Sequence, residues 1–205
     1  MSKLLLTGFE PYGGDSENVS WAVAEEVTAL GVDGVDIGLE LMPVSFNRVG
    51  SALRRAVALH HPDFVVMLGQ TRVASCVKLE RVALNLMDSE RGDNDGYKPD
   101  ERPIDPLGEA ARFTTVSIKK VQAALKGVGV ESVISNSGGL YVCNCLYYQA
   151  LKFSQECSSL PIIFVHLPSC KGLHDTPSDL VSKPFEELVL AVRTIIQTIY
   201  ESNQI

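Results

Sequence analysis

The chain has 205 residues, 45% of them hydrophobic, enough for one sizeable core and with nothing that divides residues 1–205 into more than one domain. A formal charge of -7 and a pI near 5.1, with no run of Lys or Arg, exclude the basic footprint that nucleic acid or anionic lipid would require. No apolar stretch approaches the roughly 20 residues of a membrane span, and the apolar run behind Met1 is too short for a signal peptide, so a soluble protein is expected.

In chain order, residues 3–7 have the β-branched and apolar chemistry of a strand and run into Gly8-Phe9-Glu10-Pro11-Tyr12-Gly13-Gly14. That turn lacks the Lys-Ser/Thr of a P-loop and the spacing of a dinucleotide fingerprint. Two aromatics beside three glycines suit a flat apolar slot for a small ring instead. A helical stripe follows at Trp21, Val23, Ala24, Val27 and Leu30, then a strand at 35–42. Residues 46–60 repeat the helical pattern with Val49, Leu53, Ala56 and Val57, and 63–69 form a strand closing on Gly69-Gln70. After Glu80-Arg81, residues 82–86 read as a strand. Residues 88–107 have no periodicity and are dense in Asp, Gly, Pro and Arg; a loop of this length is expected over an active site.

The pattern then resumes with a helix at 115–125, stopped by Gly127, and a strand at 132–135 that breaks into glycines before a helical segment holding Cys143. A strand at 162–167 carries His166 near its end, and residues 185–200 form a closing helix behind Pro184. Strands alternating with helices predict an α/β fold whose sheet is covered by helices on both faces. In such sheets ligands gather beyond the carboxyl ends of strands. Four features fall at such ends and can converge there: the Gly8 turn, Gly69-Gln70, the Cys143 turn and His166.

Five cysteines, Cys76, Cys143, Cys145, Cys157 and Cys170, are odd in number and lack paired spacing, which points to a reducing cytoplasm and to no metal or other cofactor. A free cysteine is most often a buried apolar residue. Cys143 has a second reading: at a helix start, unpaired N–H groups and the helix dipole favour thiolate and can hold an oxyanion, so the thiol is a candidate nucleophile. His166 reads either as a satisfied core histidine or as the base for that thiol. His60 and His61 adjoin Pro62 at what reads as an exposed helix end, and His174 sits in a polar loop, so these compete poorly. Glu80 reads either as a solvated partner of Arg81 or as the carboxylate that orients the imidazole.

Taken together, Gly8 to Gly14, Glu80-Arg81-Val82-Ala83-Leu84-Asn85, Asp93-Asn94-Asp95-Gly96, Ser135-Asn136-Ser137-Gly138-Gly139-Leu140-Tyr141-Val142-Cys143-Asn144 and Phe164-Val165-His166-Leu167-Pro168 resemble the pyroglutamyl-peptidase I family of cysteine peptidases. The blocks occur in family order and span nearly the whole chain. The resemblance implies a single-domain, three-layer α/β/α sandwich with a twisted central sheet. It also implies a cytoplasmic, metal-free omega-peptidase that hydrolyses the bond after an N-terminal pyroglutamyl residue through a thioacyl-enzyme, often assembled as a homotetramer. By the matching motifs Cys143 is the nucleophile, His166 the general base and acid, and Glu80 the orienting carboxylate, while Phe9, Tyr12, Gln70 and Val142 line the substrate pocket.

Three departures from the family pattern stand out. Tyr12 replaces a phenylalanine, adding a hydroxyl that needs a partner. Ser169 follows Pro168 where relatives commonly have Tyr. Glu90 takes the register of a loop arginine, with Arg91 displaced by one position and Gly92 following it; either Arg91 substitutes, or backbone N–H groups bear the oxyanion alone. Two other functions stay open at this level. One is a catalytically silent relative that binds pyroglutamyl peptide ends. The other is a nucleoside phosphorylase-like transferase, for which no basic anion site is visible and which gives Cys143 no role.

Overall fold

A computed structural model describes residues 1–156, 160–171, 173 and 181–204. His174 and Cys157 lie outside the described residues. The elements in chain order are β1 Ser2–Phe9, α1 Val19–Leu30, β2 Val35–Met42, α2 Val49–His60, β3 Phe64–Gln70, β4 Val77–Glu80, β5 Val82–Leu84, β6 Ala111–Phe113, α3 Ile118–Gly127, β7 Ser132–Ser135, α4 Val142–Glu156, β8 Ile162–Leu167, β9 Ser169–Cys170, β10 Ser182–Lys183 and α5 Phe185–Ser202. Six strands form the central sheet in the order β2-β1-β3-β8-β4-β7. All neighbours run parallel except β4, which lies antiparallel to β8, so β4 and β7 point against the other four.

Strand alternation sorts the core into two layers. Leu4, Leu6, Val66, Leu68, Ile163 and Val165 face one side and pack against α1, α3 and α5. Leu5, Phe9, Val65, Met67, Ile162 and Phe164 face the other and pack against α2 and α4. The sheet is thus sandwiched, as the alternation of elements predicts. α5 follows its sequence stripe closely, burying Leu188, Val189, Val192, Ile195, Ile196 and Ile199 while Phe185 stays at the edge.

Three sequence expectations change in the fold. In α1 the buried stripe is Val19, Ser20, Val23, Ala24 and Val27, so Leu30 projects to solvent and Trp21 lies at the margin. The Asn18 side chain caps this helix by accepting from the Ser20 N–H at 3.0 Å, which sets its start ahead of Trp21. Phe46 precedes α2 and is buried in the second core layer from a loop. The third change concerns residues 82–86. Only Val82–Leu84 is a strand, and it pairs with β6 outside the main sheet. The strand that enters the sheet is Val77–Glu80, whose buried Val77 and Leu79 face the α1 layer and whose Lys78 and Glu80 face the other.

Candidate active site

The pairing of β4 with β8 sets the geometry. Lys78 stands opposite His166 and Glu80 opposite Phe164, and directly paired residues share a face, so Glu80 and His166 are diagonal neighbours. Because β4 runs antiparallel, Glu80 sits two register pairs below the level of His166 and is only 1% exposed, while His166 is 5% exposed. His166 Nδ1 donates to Glu80 Oε1 at 2.9 Å. A carboxylate oxygen only accepts, so Nε2 is the ring nitrogen left for Cys143, with which the imidazole also hydrogen-bonds. Arg81 does not compete for Glu80: its guanidinium donates to Asn136 Oδ1 at 3.0 Å.

Burial alone would lower the imidazole's affinity for a proton. The hydrogen bonds and charges of Cys143 and Glu80 outweigh it and push the His166 pKa up to about 9. The second carboxylate oxygen, Glu80 Oε2, is buried without a hydrogen-bond partner. It lies beside Gly138, where an added Cβ would stand 3.7 Å from it.

Cys143 is the second residue of α4 and half-buried. Its sulfur rests against Gly69 of β3: a Cβ there would lie 3.1 Å from Sγ and 2.8 Å from the Phe164 ring. Glycine at the end of β3 therefore makes room for the thiol. The loop before α4 turns through Gly139 at φ +80°. First-turn N–H groups of a helix have no intrahelical acceptor, so the start of α4 presents donors next to the sulfur. Asn144, buried beside Cys143, locks the helix to β5: its Oδ1 accepts from Leu84 N–H at 2.9 Å and its Nδ2 donates to the Leu84 and Leu86 carbonyls at 2.9 and 3.0 Å.

A cavity of about 410 Å³ opens over this group. Phe9, Tyr12, Gln70, Val142 and Arg91, the five pocket residues expected from the sequence, all line it together with Cys143, His166 and Glu80. The Gln70 side chain accepts from Val19 N–H at 3.1 Å, tying β3 to the start of α1. Burial and then the nearby Cys143 push the Tyr12 phenol pKa up, so its hydroxyl keeps its proton as a donor. The Arg91 guanidinium lies 5.2 Å from the Tyr12 ring centre and against Gly13. The long loop contributes Arg91 to the cavity wall and is pinned: Asp93 accepts from Phe46, Asp95 and Tyr97 N–H groups, and Tyr141 donates to the Gly92 carbonyl at 2.9 Å. Among the described residues no group of three or more His, Cys, Asp or Glu side chains is placed to hold a metal.

A sequence profile of the pyroglutamyl peptidase family matches residues 2–202. The chain belongs to the pyroglutamyl peptidase family. A pyrrolidone-carboxylate peptidase from Vibrio vulnificus is 34% identical over 205 residues, covering 100% of this chain and 95% of that protein. One from Thermococcus kodakarensis is 38% identical over 168 residues, 81% of each chain. The solved pyrrolidone carboxyl peptidase of Thermococcus litoralis superposes with a TM-score of 0.93 at 28% identity, covering 100% of this chain and 96% of the other. Membership carries the cysteine-peptidase reading over the silent-binder and transferase alternatives.

Several residues in the cavity wall were not singled out from the sequence, among them Asn18, Arg72, Lys78 and Tyr141. Arg72 is held by both carboxylate oxygens of Asp15. The signal for Lys78 was present as the period-2 alternation Val77-Lys78-Leu79-Glu80, masked by the more apolar run that follows it. His60, read as surface, is half-buried, pairs through Nε2 with Glu40 Oε1 at 2.8 Å and does not line the cavity over Cys143. His61 is exposed, as expected.

Proposed function

We propose that this chain, acting as one peptidase domain over residues 1–205, hydrolyses the bond after an N-terminal pyroglutamyl residue through a thioacyl-enzyme on Cys143. The observation that carries this reading is an imidazole engaged at both ends, by the Glu80 carboxylate on Nδ1 and by Cys143 on the other side, at the floor of a pocket. The Cys143 thiolate attacks the pyroglutamyl carbonyl, and the oxygen of the tetrahedral intermediate is held by N–H groups at the start of α4, with Arg91 supplying charge from the loop. Collapse expels the amine, which takes the proton of His166 Nε2. Water activated by the same imidazole then releases pyroglutamate. Glu80 fixes the ring and stabilises its charged form.

The lactam fits between Phe9 and Tyr12, with Gln70 and Val142 beside it. A pyroglutamyl end has no basic amine, so the slot needs no counter-ion. A prolyl end lacks the lactam carbonyl and carries charge, and a site built to hydrogen-bond a missing group can reject its analogue by roughly 10⁴- to 10⁵-fold. The four described cysteines are unpaired, in keeping with work in the reducing cytoplasm, and no described helix is long and apolar enough to cross a membrane. Assembly as a homotetramer is part of the same reading, supported by family resemblance.

The test is release of a fluorogenic amine from pyroglutamyl and prolyl derivatives by wild type and Cys143→Ser. Turnover of the pyroglutamyl compound alone, reduced at least about 10³-fold by the substitution, is the expected outcome. A folded wild type inert toward both compounds would overturn the reading. Light scattering tests assembly: four times the 22.3 kDa chain mass is expected.

A further inference from the structure

We propose that Lys78 is a specificity residue for the leaving half of the substrate, its ammonium receiving a carboxylate on the residue that follows pyroglutamate; this rests on the peptidase reading above. The sheet order sets the direction. Phe9 ends β1 and Gln70 ends β3, so the lactam slot lies over that pair of strands. Gly69 of β3 lies under the Cys143 sulfur, His166 stands on β8, and Lys78 stands on β4 beyond it. Slot, nucleophile, proton donor and Lys78 therefore succeed one another across β1-β3-β8-β4. Because His166 gives its proton to the departing amine, the leaving residue lies on the side away from the slot, which is the side of Lys78.

Lys78 is in register with His166, shares its face of the sheet, is half-buried and lines the same cavity. Paired Cα atoms in an antiparallel ladder are roughly 5 Å apart. A lysine stem thus reaches past the imidazole to where a carboxylate on the leaving residue would stand. The other two cations in the cavity wall are committed elsewhere: Arg72 to Asp15, and Arg91 to the face of Tyr12 on the slot side. The remaining acid of the cavity, Glu80, spends Oε1 on His166. Among the described residues, no carboxylate lies within ion-pair distance of Lys78. A half-buried cation with no counter-charge among the described residues, in a chain of net charge -7, is suited to take that charge from its ligand.

The carboxylate has two sources: the free terminus of a pyroglutamyl dipeptide, or an acidic side chain next to pyroglutamate. Two substrate pairs separate them. One is pyroglutamyl-alanine against its C-terminal amide, and the other is pyroglutamyl-glutamate amide against pyroglutamyl-glutamine amide. The kcat/KM ratio of acid to neutral partner is taken within each protein, so that a general loss of activity divides out. Wild type is expected to favour the acid in at least one pair by roughly tenfold, the scale of one charge-assisted hydrogen bond. Lys78→Met brings that ratio to about one, Lys78→Glu inverts it, and Lys78→Arg restores most of it. The pair that responds identifies the source. An equal ratio in wild type and Lys78→Met for both pairs would overturn the proposal while leaving the peptidase reading intact; no cleavage of any of the four peptides by folded wild type would overturn both.

Discussion

At the scale of single residues, the proposed chemistry turns on how a buried imidazole keeps a proton. Desolvation works against His166, and the Cys143 and Glu80 contacts reverse it. Glu80→Gln keeps the shape of the contact and removes the charge, so the alkaline limb of the pH–rate profile, where the imidazolium is lost, is expected to move to lower pH. The same substitution is expected to lower kcat by roughly 10²- to 10⁴-fold, since the ring loses the group that fixes its tautomer. A profile whose alkaline limb does not move would show that Glu80 does not hold the charge of His166.

The raised pKa also links stability to pH. An unfolded histidine titrates near 6.5, and the folded one near 9. The contribution of the protonated ring is thus fully present below about 6.5 and is lost as pH rises through about 9. Melting temperatures of wild type across that window are expected to fall more steeply than those of Glu80→Gln. Cys145, two positions from Cys143, is buried, and burial pushes its thiol up to about 11. It therefore stays protonated at neutral pH, and alkylation there is expected to mark Cys143 in preference to Cys145.

At the scale of elements, Cys143 is positioned by α4, and α4 is tied down by one amide. Asn144 satisfies three backbone groups, two on Leu84 at the end of β5 and one on Leu86 just beyond it, all from a side chain 2% exposed. Asn144→Ala leaves those groups without partners and is expected to cost about 1–3 kcal/mol of unfolding free energy. Because the helix also sets the sulfur, kcat is expected to fall with it; chemical denaturation and steady-state kinetics on the one variant measure both. A variant that loses stability but keeps kcat would place the anchor of Cys143 elsewhere, with Gly69 and the loop at Gly139 as the remaining supports.

At the scale of the whole molecule, the two core layers separate strength from chemistry. Ile195 of α5 is fully buried in the layer of α1, α3 and α5, on the sheet face away from Cys143 and Glu80. Ile195→Ala is expected to cost about 2–5 kcal/mol as the cavity term adds to lost burial. Well below its new melting temperature the variant should retain wild-type kcat/KM, because the site rests on the opposite layer; a large loss of kcat/KM there would mean that the layers are mechanically coupled.

Local pattern was enough for much of this protein. Helical stripes, strand chemistry and punctuation by Gly and Pro placed α2, α5, β2 and β7 to within a few residues, because each has a local signal that packing reinforces. Likeness to the motifs of the family singled out Cys143, His166, Glu80 and the aromatic slot, whereas the residues by themselves also read as a buried cysteine, a core histidine and a solvated glutamate. What only the tertiary structure decided was direction and partnership. β4 looks weaker than the apolar run after it, yet it is the inner strand, since its value comes from neighbours on both sides and not from its own hydrophobicity. Its antiparallel pairing with β8 is what drops Glu80 beneath His166 and brings Lys78 level with it. Strand order and register are set by contacts between residues far apart in the chain, such as the 86 positions between Glu80 and His166, and no local pattern encodes them.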